Sequence, residues 1–222
     1  METIRHRGPR PGILAILFMG LFILGLSFVV SFRAGAPHFP GPYDPIADIT
    51  NYFAQQPRDV LLCAFFQFCS AIPLALFSVS MLAQLRFLGI KATGPYIAMA
   101  GGLITAIDVI ICSGSIWTMA NPAVSGNAGV IPALYYFGFA IGGPGFSVPF
   151  GLLIAGIAVS GGLSKVLPKW LMWSGLVLAL IGELSCLSLV VPGLLPLVPL
   201  TRFPGFIWLI LVGFKLPRTI SR

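Results

Sequence analysis

Residues 95–119, PYIAMAGGLITAIDVIICSGSIWTM, carry a single charged side chain, Asp108, in 25 positions. A helix rises about 1.5 Å per residue, so roughly 20 apolar residues are needed to cross about 30 Å of hydrocarbon. This stretch meets that requirement, and it is one of six. The others run over about 12–32, 60–85, 131–160, 170–191 and 199–216. The composition agrees: 57% of residues are hydrophobic and 9% charged, against roughly 25% charged in a soluble domain. These features predict an all-α fold, a polytopic transmembrane helical bundle forming one domain over residues 1–222, with the lipid bilayer as its first partner. In the sixth run Pro199, Arg202, Pro204 and Gly205 crowd the start, which suggests a re-entrant or interfacial turn before the span.

Basic residues set the orientation, because cytoplasmic loops retain Lys and Arg. Arg5, Arg7, Arg10, Arg86, Lys91, Lys165, Lys169, Lys215, Arg218 and Arg222 fall on one side, leaving Arg33, Arg58 and Arg202 of the thirteen on the other. Both termini are therefore expected in the cytoplasm. The net charge of +7 is spread over four cytoplasmic ends rather than gathered with aromatics on one face, which argues against a nucleic-acid partner. The first run exceeds the roughly 7–15 residues of a signal-peptide core, so it reads as a retained helix.

Between the first two spans lies the one long connection. Its first half is Pro-rich; its second half has Asp44 where an N-cap belongs and Pro45 at the first helical position. Ile46, Ile49 and Phe53 then recur at helical spacing. A short amphipathic helix over 45–56 is expected on the extracytoplasmic surface, as a lid over the bundle. A weak self-similarity relates spans two and three to spans four and five: FFQF at Phe65 is echoed by YYFGF at Tyr135, and FSVS at Phe77 by FSVP at Phe146.

A carboxylate at bilayer depth costs about 3 kcal/mol on insertion scales, which makes Asp108 and Glu183 the first candidates for function. Each stands thirteen residues after the cytoplasmic start of its span, at Pro95 and Trp170, or about 20 Å deep. Asp108 shares one helix stripe with Gly101, Thr105, Cys112 and Ser115; Glu183 stands beside Gly175, Ala179, Gly182 and Cys186. In the fourth span, Gly142, Gly143, Pro144, Gly145 and Pro149 forbid a straight helix. Such a break survives in a bilayer where it is buried or lines a wet cavity. With Gln67 on the second span, these residues outline a polar cavity in which Asp108, Glu183, Thr105, Ser115 and Gln67 would bind a solute or proton.

Cys63, Cys69, Cys112 and Cys186 lie inside spans without a CxxC pair, and His6 and His38 lie on opposite sides of the membrane. Neither a metal nor a redox cofactor is expected. No HExxH, GxSxG, DDxxD or Walker glycine loop is present, so nothing in the sequence names an enzyme.

Two stretches, ADITNYFAQQPRDVLLCAFFQFCSAIPLALFSVSMLAQLRFLG at 47–89 and RFPGFIWLILVGFKLPR at 202–218, resemble a bacterial family of integral membrane proteins known only as domain of unknown function 4386. The resemblance implies a six-helix protein of the bacterial cytoplasmic membrane and carries no activity with it. Two functions compete: binding or transport of a small solute or proton through the polar cavity, or a non-catalytic subunit or assembly factor whose polar stripes only pack helices. The substrate, protein partners and oligomeric state are not written in the sequence.

Overall fold

Away from water, every backbone N–H and C=O must find its partner within the protein, and a helix does this within one segment. In the computed structural model, which describes residues 3–30 and 39–221, the apolar runs accordingly become helices. They are α1 (Pro11–Ser27), α3 (Pro57–Phe87), α4 (Gly94–Met119), α5 (Val130–Ala140), α6 (Phe146–Leu163), α7 (Lys169–Leu184) and α8 (Leu197–Lys215), with α2 (Ile46–Gln55) in the connection. Five helical stretches are long and apolar enough to cross a membrane: Pro57–Phe87, Gly94–Met119, Val130–Leu163, Lys169–Leu189 and Pro192–Lys215. Helix α1 is shorter, at 17 residues. The expected end of the first span at Phe32, together with Arg33 and His38, lies outside the described residues.

Helix α6 is the centre of the bundle. Small residues let its neighbours approach backbone to backbone: Gly101 of α4 lies against the Pro149 carbonyl, Gly156 against Ala98, and Gly182 of α7 against the Ser147 carbonyl. The two small-residue stripes therefore pack α4 and α7 onto α6, as such stripes do in membranes. Phenylalanines lock α1 and α8 to the same helix. Phe22 of α1 and Phe146 of α6 stand 6.0 Å apart between ring centroids, Phe150 of α6 and Phe206 of α8 5.8 Å, and Phe18 of α1 and Phe206 4.8 Å, all within the separation that aromatic pairs favour.

Helices α3 and α6 stop in the same way. Gly89 (φ 85°) and Lys165 (φ 56°) adopt the left-handed conformation, and the next residues, Ile90 and Val166, donate back to the Leu85 and Gly161 carbonyls. This closes two Schellman turns, one with the usual Gly and one with a Lys.

Two expectations are corrected. The helix of the connection begins one residue later than proposed, with Pro45 rather than Asp44 at its N-cap; the Asp44 carboxylate accepts from the Gly41 N–H at 2.7 Å. That helix also does more than cover the surface. Ile49 and Phe53 are fully buried in a second core with Val60, Ile116, Met119, Ile131 and Tyr135, and burial pushes the Tyr52 hydroxyl up to about 12. The start of the last span is the second correction. It is a regular helix from Leu197, not an interfacial turn, because Pro199 sits in the first turn, where backbone donors have no helical partner to lose.

At one end of the bundle, strands β1 (Thr3–Arg5) and β2 (Thr219–Ser221) pair antiparallel, Ile4 opposite Ile220. Arg218 Nη2 donates to the His6 and Gly8 carbonyls at 3.0 and 2.6 Å, and Gln84 Nε2 donates to the Leu216 and Pro217 carbonyls at 3.2 and 3.1 Å.

Candidate functional site

The Gly-Gly-Pro-Gly run joins α5 to α6 as a π-turn over Ile141–Gly145. Because this wider turn displaces the chain without breaking it, α5 and α6 remain one long helix with a step in its side. Opposite the step is a cavity of about 250 Å³.

Most of the cavity wall is made of helix faces. Phe22 and Leu26 come from α1, Val29 and Val30 from just past its end and Phe39 from the connection; Cys63 and Gln67 from α3; Val109, Cys112, Ile116 and Met119 from α4; Tyr135, Gly138, Phe139, Gly142, Gly143 and Phe146 from α5, the π-turn and α6. Val198 and Arg202, one turn apart on α8, complete it. Among the described lining residues Arg202 is the sole charged group. Its Nη2 donates to the Gly142 carbonyl in the π-turn, and its guanidinium lies over the Phe146 and Phe22 rings, at 4.5 and 5.5 Å from their centroids. Its Nε is buried without a hydrogen-bond partner. Arg202 stands thirteen residues before Lys215 at the end of α8, so it lies about 20 Å from that end, the depth worked out for Asp108 and Glu183.

Of the residues singled out from the sequence, Gln67, Gly142 and Gly143 line this cavity. The others occupy different places. Asp108 is half-buried on α4, one turn before Cys112. Glu183 is on α7 with Oε1 buried, unpartnered and beside Gly151 of α6. Thr105 is spent within its own helix, donating to the Gly101 carbonyl at 2.7 Å, and Ser115 ties α4 to α5 by donating to the Leu134 carbonyl at 2.8 Å. Pro144 is buried in the π-turn, Gly145 closes it, and Pro149 presents its carbonyl to Gly101. The two acids thus sit on helices that pack on α6 by separate glycine contacts, and neither is among the cavity-lining residues.

Arg202 is the residue that charge counting passed over, by grouping it with the extracytoplasmic charges at the start of the sixth run. The signal was present: LLPLVPLT before it and FPGFIWLILVGF after it are apolar on both sides, which puts the guanidinium inside a helix. Among the described residues no three His, Cys, Asp or Glu side chains come together as a metal site would need. Comparison with protein-family models, with curated proteins and with solved structures returns no match.

Proposed function

We infer that this multi-pass membrane protein binds a small solute in the cavity between α1, α3, α4, the π-turn and α8, and that it hands the solute across a bacterial cytoplasmic membrane. One observation carries the reading: a cavity between apolar helices whose wall includes a half-buried charge, Arg202, and a buried amide, Gln67, on separate helices. Polar groups inside a membrane are expensive to retain and mark solute pathways. Asp108 and Glu183 fit a supporting role as proton sites on either flank of α6. Six crossings with both ends of the chain in the cytoplasm are supported by the β1–β2 pairing, which puts residues 3–5 and 219–221 at one end of the bundle, and by the basic residues gathered there. The likeness of residues 47–89 and 202–218 to domain of unknown function 4386 fits the same architecture.

Cys63 and Cys112 line the cavity and serve as built-in reporters. In right-side-out vesicles, N-ethylmaleimide should modify Cys112, read by mass spectrometry, and Val109→Trp, which fills the cavity, should slow that modification at least tenfold. Equal rates in the two proteins would remove the solute-binding reading.

The second reading, a non-catalytic subunit, draws on Ser115 and Cys112. Their side chains bond across to α5, Cys112 Sγ to the Gly138 carbonyl at 3.4 Å, which is how polar atoms pin membrane helices together.

A further inference from the structure

The sign of the charge in the cavity says more about its occupant than the volume does. Resting on the solute-binding reading above, we propose that the cavity takes a small amphipathic monoanion, a carboxylate on a short apolar body, with Arg202 as its counter-ion.

A guanidinium stays protonated at any physiological pH, so this site holds a full positive charge. No Asp or Glu is among the described lining residues, and the stretch 31–38, SFRAGAPH, contains no acid in the sequence. Arg202 has no ion pair among the described residues. What it has instead is one carbonyl and two aromatic faces, which hold the guanidinium in place while leaving Nε without an acceptor. Such a fixed planar fork suits a carboxylate. The Gln67 amide, which makes no hydrogen bond among the described residues, supplies a second donor at the wall. Leu26, Val29, Val109 and Ile116 give the remainder an apolar surface, which fits the body of the anion and not a second charge. At about 250 Å³ the cavity falls just below the roughly 300–1,000 Å³ of sites for drug-sized ligands, so the body is short. A cation would meet Arg202 as a like charge.

Both a water-soluble short-chain carboxylate and the carboxylate end of a membrane fatty acid have this chemistry. The test uses the cavity cysteines in a Cys69→Ala, Cys186→Ala background, comparing labelling rates at Cys63 and Cys112 by an anionic and a cationic methanethiosulfonate of equal size. The ratio of the two rates cancels each thiol's own reactivity. The anionic reagent should be at least tenfold faster, the order one opposite charge within about 10 Å gives at an effective dielectric of about 20. Arg202→Gln should bring the ratio to about one; Arg202→Lys, which keeps the charge, should preserve the preference and covers the case in which the Gln variant does not fold. In a second arm, sodium hexanoate and oleate are each added to the detergent-purified protein. Stabilisation by hexanoate, lost in Arg202→Gln, supports a soluble anion, and the same pattern with oleate alone supports a fatty acid. Equal labelling by the two reagents, or equal stabilisation by hexylamine and hexanoate, would overturn the anion assignment and leave the cavity reading standing. No labelling by either reagent overturns the solute-binding reading and this proposal with it.

Discussion

Adding one methyl group to α4 should have opposite effects at two positions. A Cβ on Gly101 would lie 2.5 Å from the Pro149 carbonyl oxygen and 2.7 Å from the Leu153 nitrogen, both backbone atoms of α6, whereas a Cβ on Gly114 meets nothing within 4 Å. Ordinary contact begins at 3.4 Å, so Gly101→Ala must part the two helices by 3.4 − 2.5 = 0.9 Å, or by 3.0 − 2.5 = 0.5 Å if the tightest contact is accepted. Overpacking of this kind costs about 1–3 kcal/mol, which for a chain of this size lowers the melting temperature by roughly 2–12 °C. Gly114→Ala instead removes backbone freedom from the unfolded chain at no steric cost and should stabilise by up to about 1 kcal/mol. The assay is thermal unfolding of both variants in one neutral detergent, followed by tryptophan fluorescence. Because the chemical change is the same in one helix, equal shifts for the two variants would refute the close contact of α4 with α6, and with it the placement of α6 at the centre.

Further outcomes follow from other contacts. Phe53→Ala should lower stability by about 3–5 kcal/mol while leaving membrane insertion intact, measured by carbonate extraction alongside thermal unfolding, since α2 is part of the second core but the spans carry their own insertion signal. Lys165→Gly should raise stability by up to about 1 kcal/mol in the same unfolding assay, because an L side chain in the left-handed region costs about 1–2 kcal/mol that Gly avoids. Burial and then the charge of Arg218 hold the His6 imidazole below its ordinary 6.5; the unfolded chain therefore binds the proton more readily, and the stability of the β1–β2 end is present above 6.5 and lost as pH falls below it. The protection of amides 219–221, their exchange rate relative to an unstructured chain at the same pH, should accordingly fall from pH 7.5 to 5.5 in wild type but not in His6→Phe. The double variant Asp108→Asn, Glu183→Gln should fold and show a flatter dependence of melting temperature on pH from about 5 to 8; coincident curves would leave these acids a packing role only.

Long apolar runs were legible because the bilayer demands length and little else: α3, α4 and α7 begin within three residues of where hydropathy puts them. Gly89 carries a stop letter after a basic helix end that the reading of apolar runs did not use, whereas Lys165 adopts the same backbone with no such letter to announce it. The sequence around Gly142 declared an irregular helix but not a π-turn, because the outcome depends on how α4 and α8 pack around it. The cavity was read in part, through Gln67, Gly142 and Gly143. The missing link was facing: Asp108 and Val109 are neighbours in the chain, yet only Val109 looks into the cavity, and which side of α4 meets which neighbour is a tertiary fact. Arg202 was passed over for a different reason, since a charge among prolines at the start of the sixth run resembles an interfacial turn until Pro199 is recognised as a first-turn residue.

The pairing of β1 with β2 also bears on how the protein is made. Thr3 faces Ser221 across the ladder, so residues 3–5 must wait, unpaired, until residues 219–221 have been made. Waiting has little entropic penalty, because closing a loop costs only about 0.6 kcal/mol more for each doubling of its length. It has instead a topological condition: strands that pair must lie on the same side of any bilayer that the helices between them cross. A chain that skipped one insertion would leave its ends in different compartments. The three-residue ladder, with the Arg218 and Gln84 hydrogen bonds beside it, thus closes only when residues 3–5 and 219–221 reach one side of the bilayer.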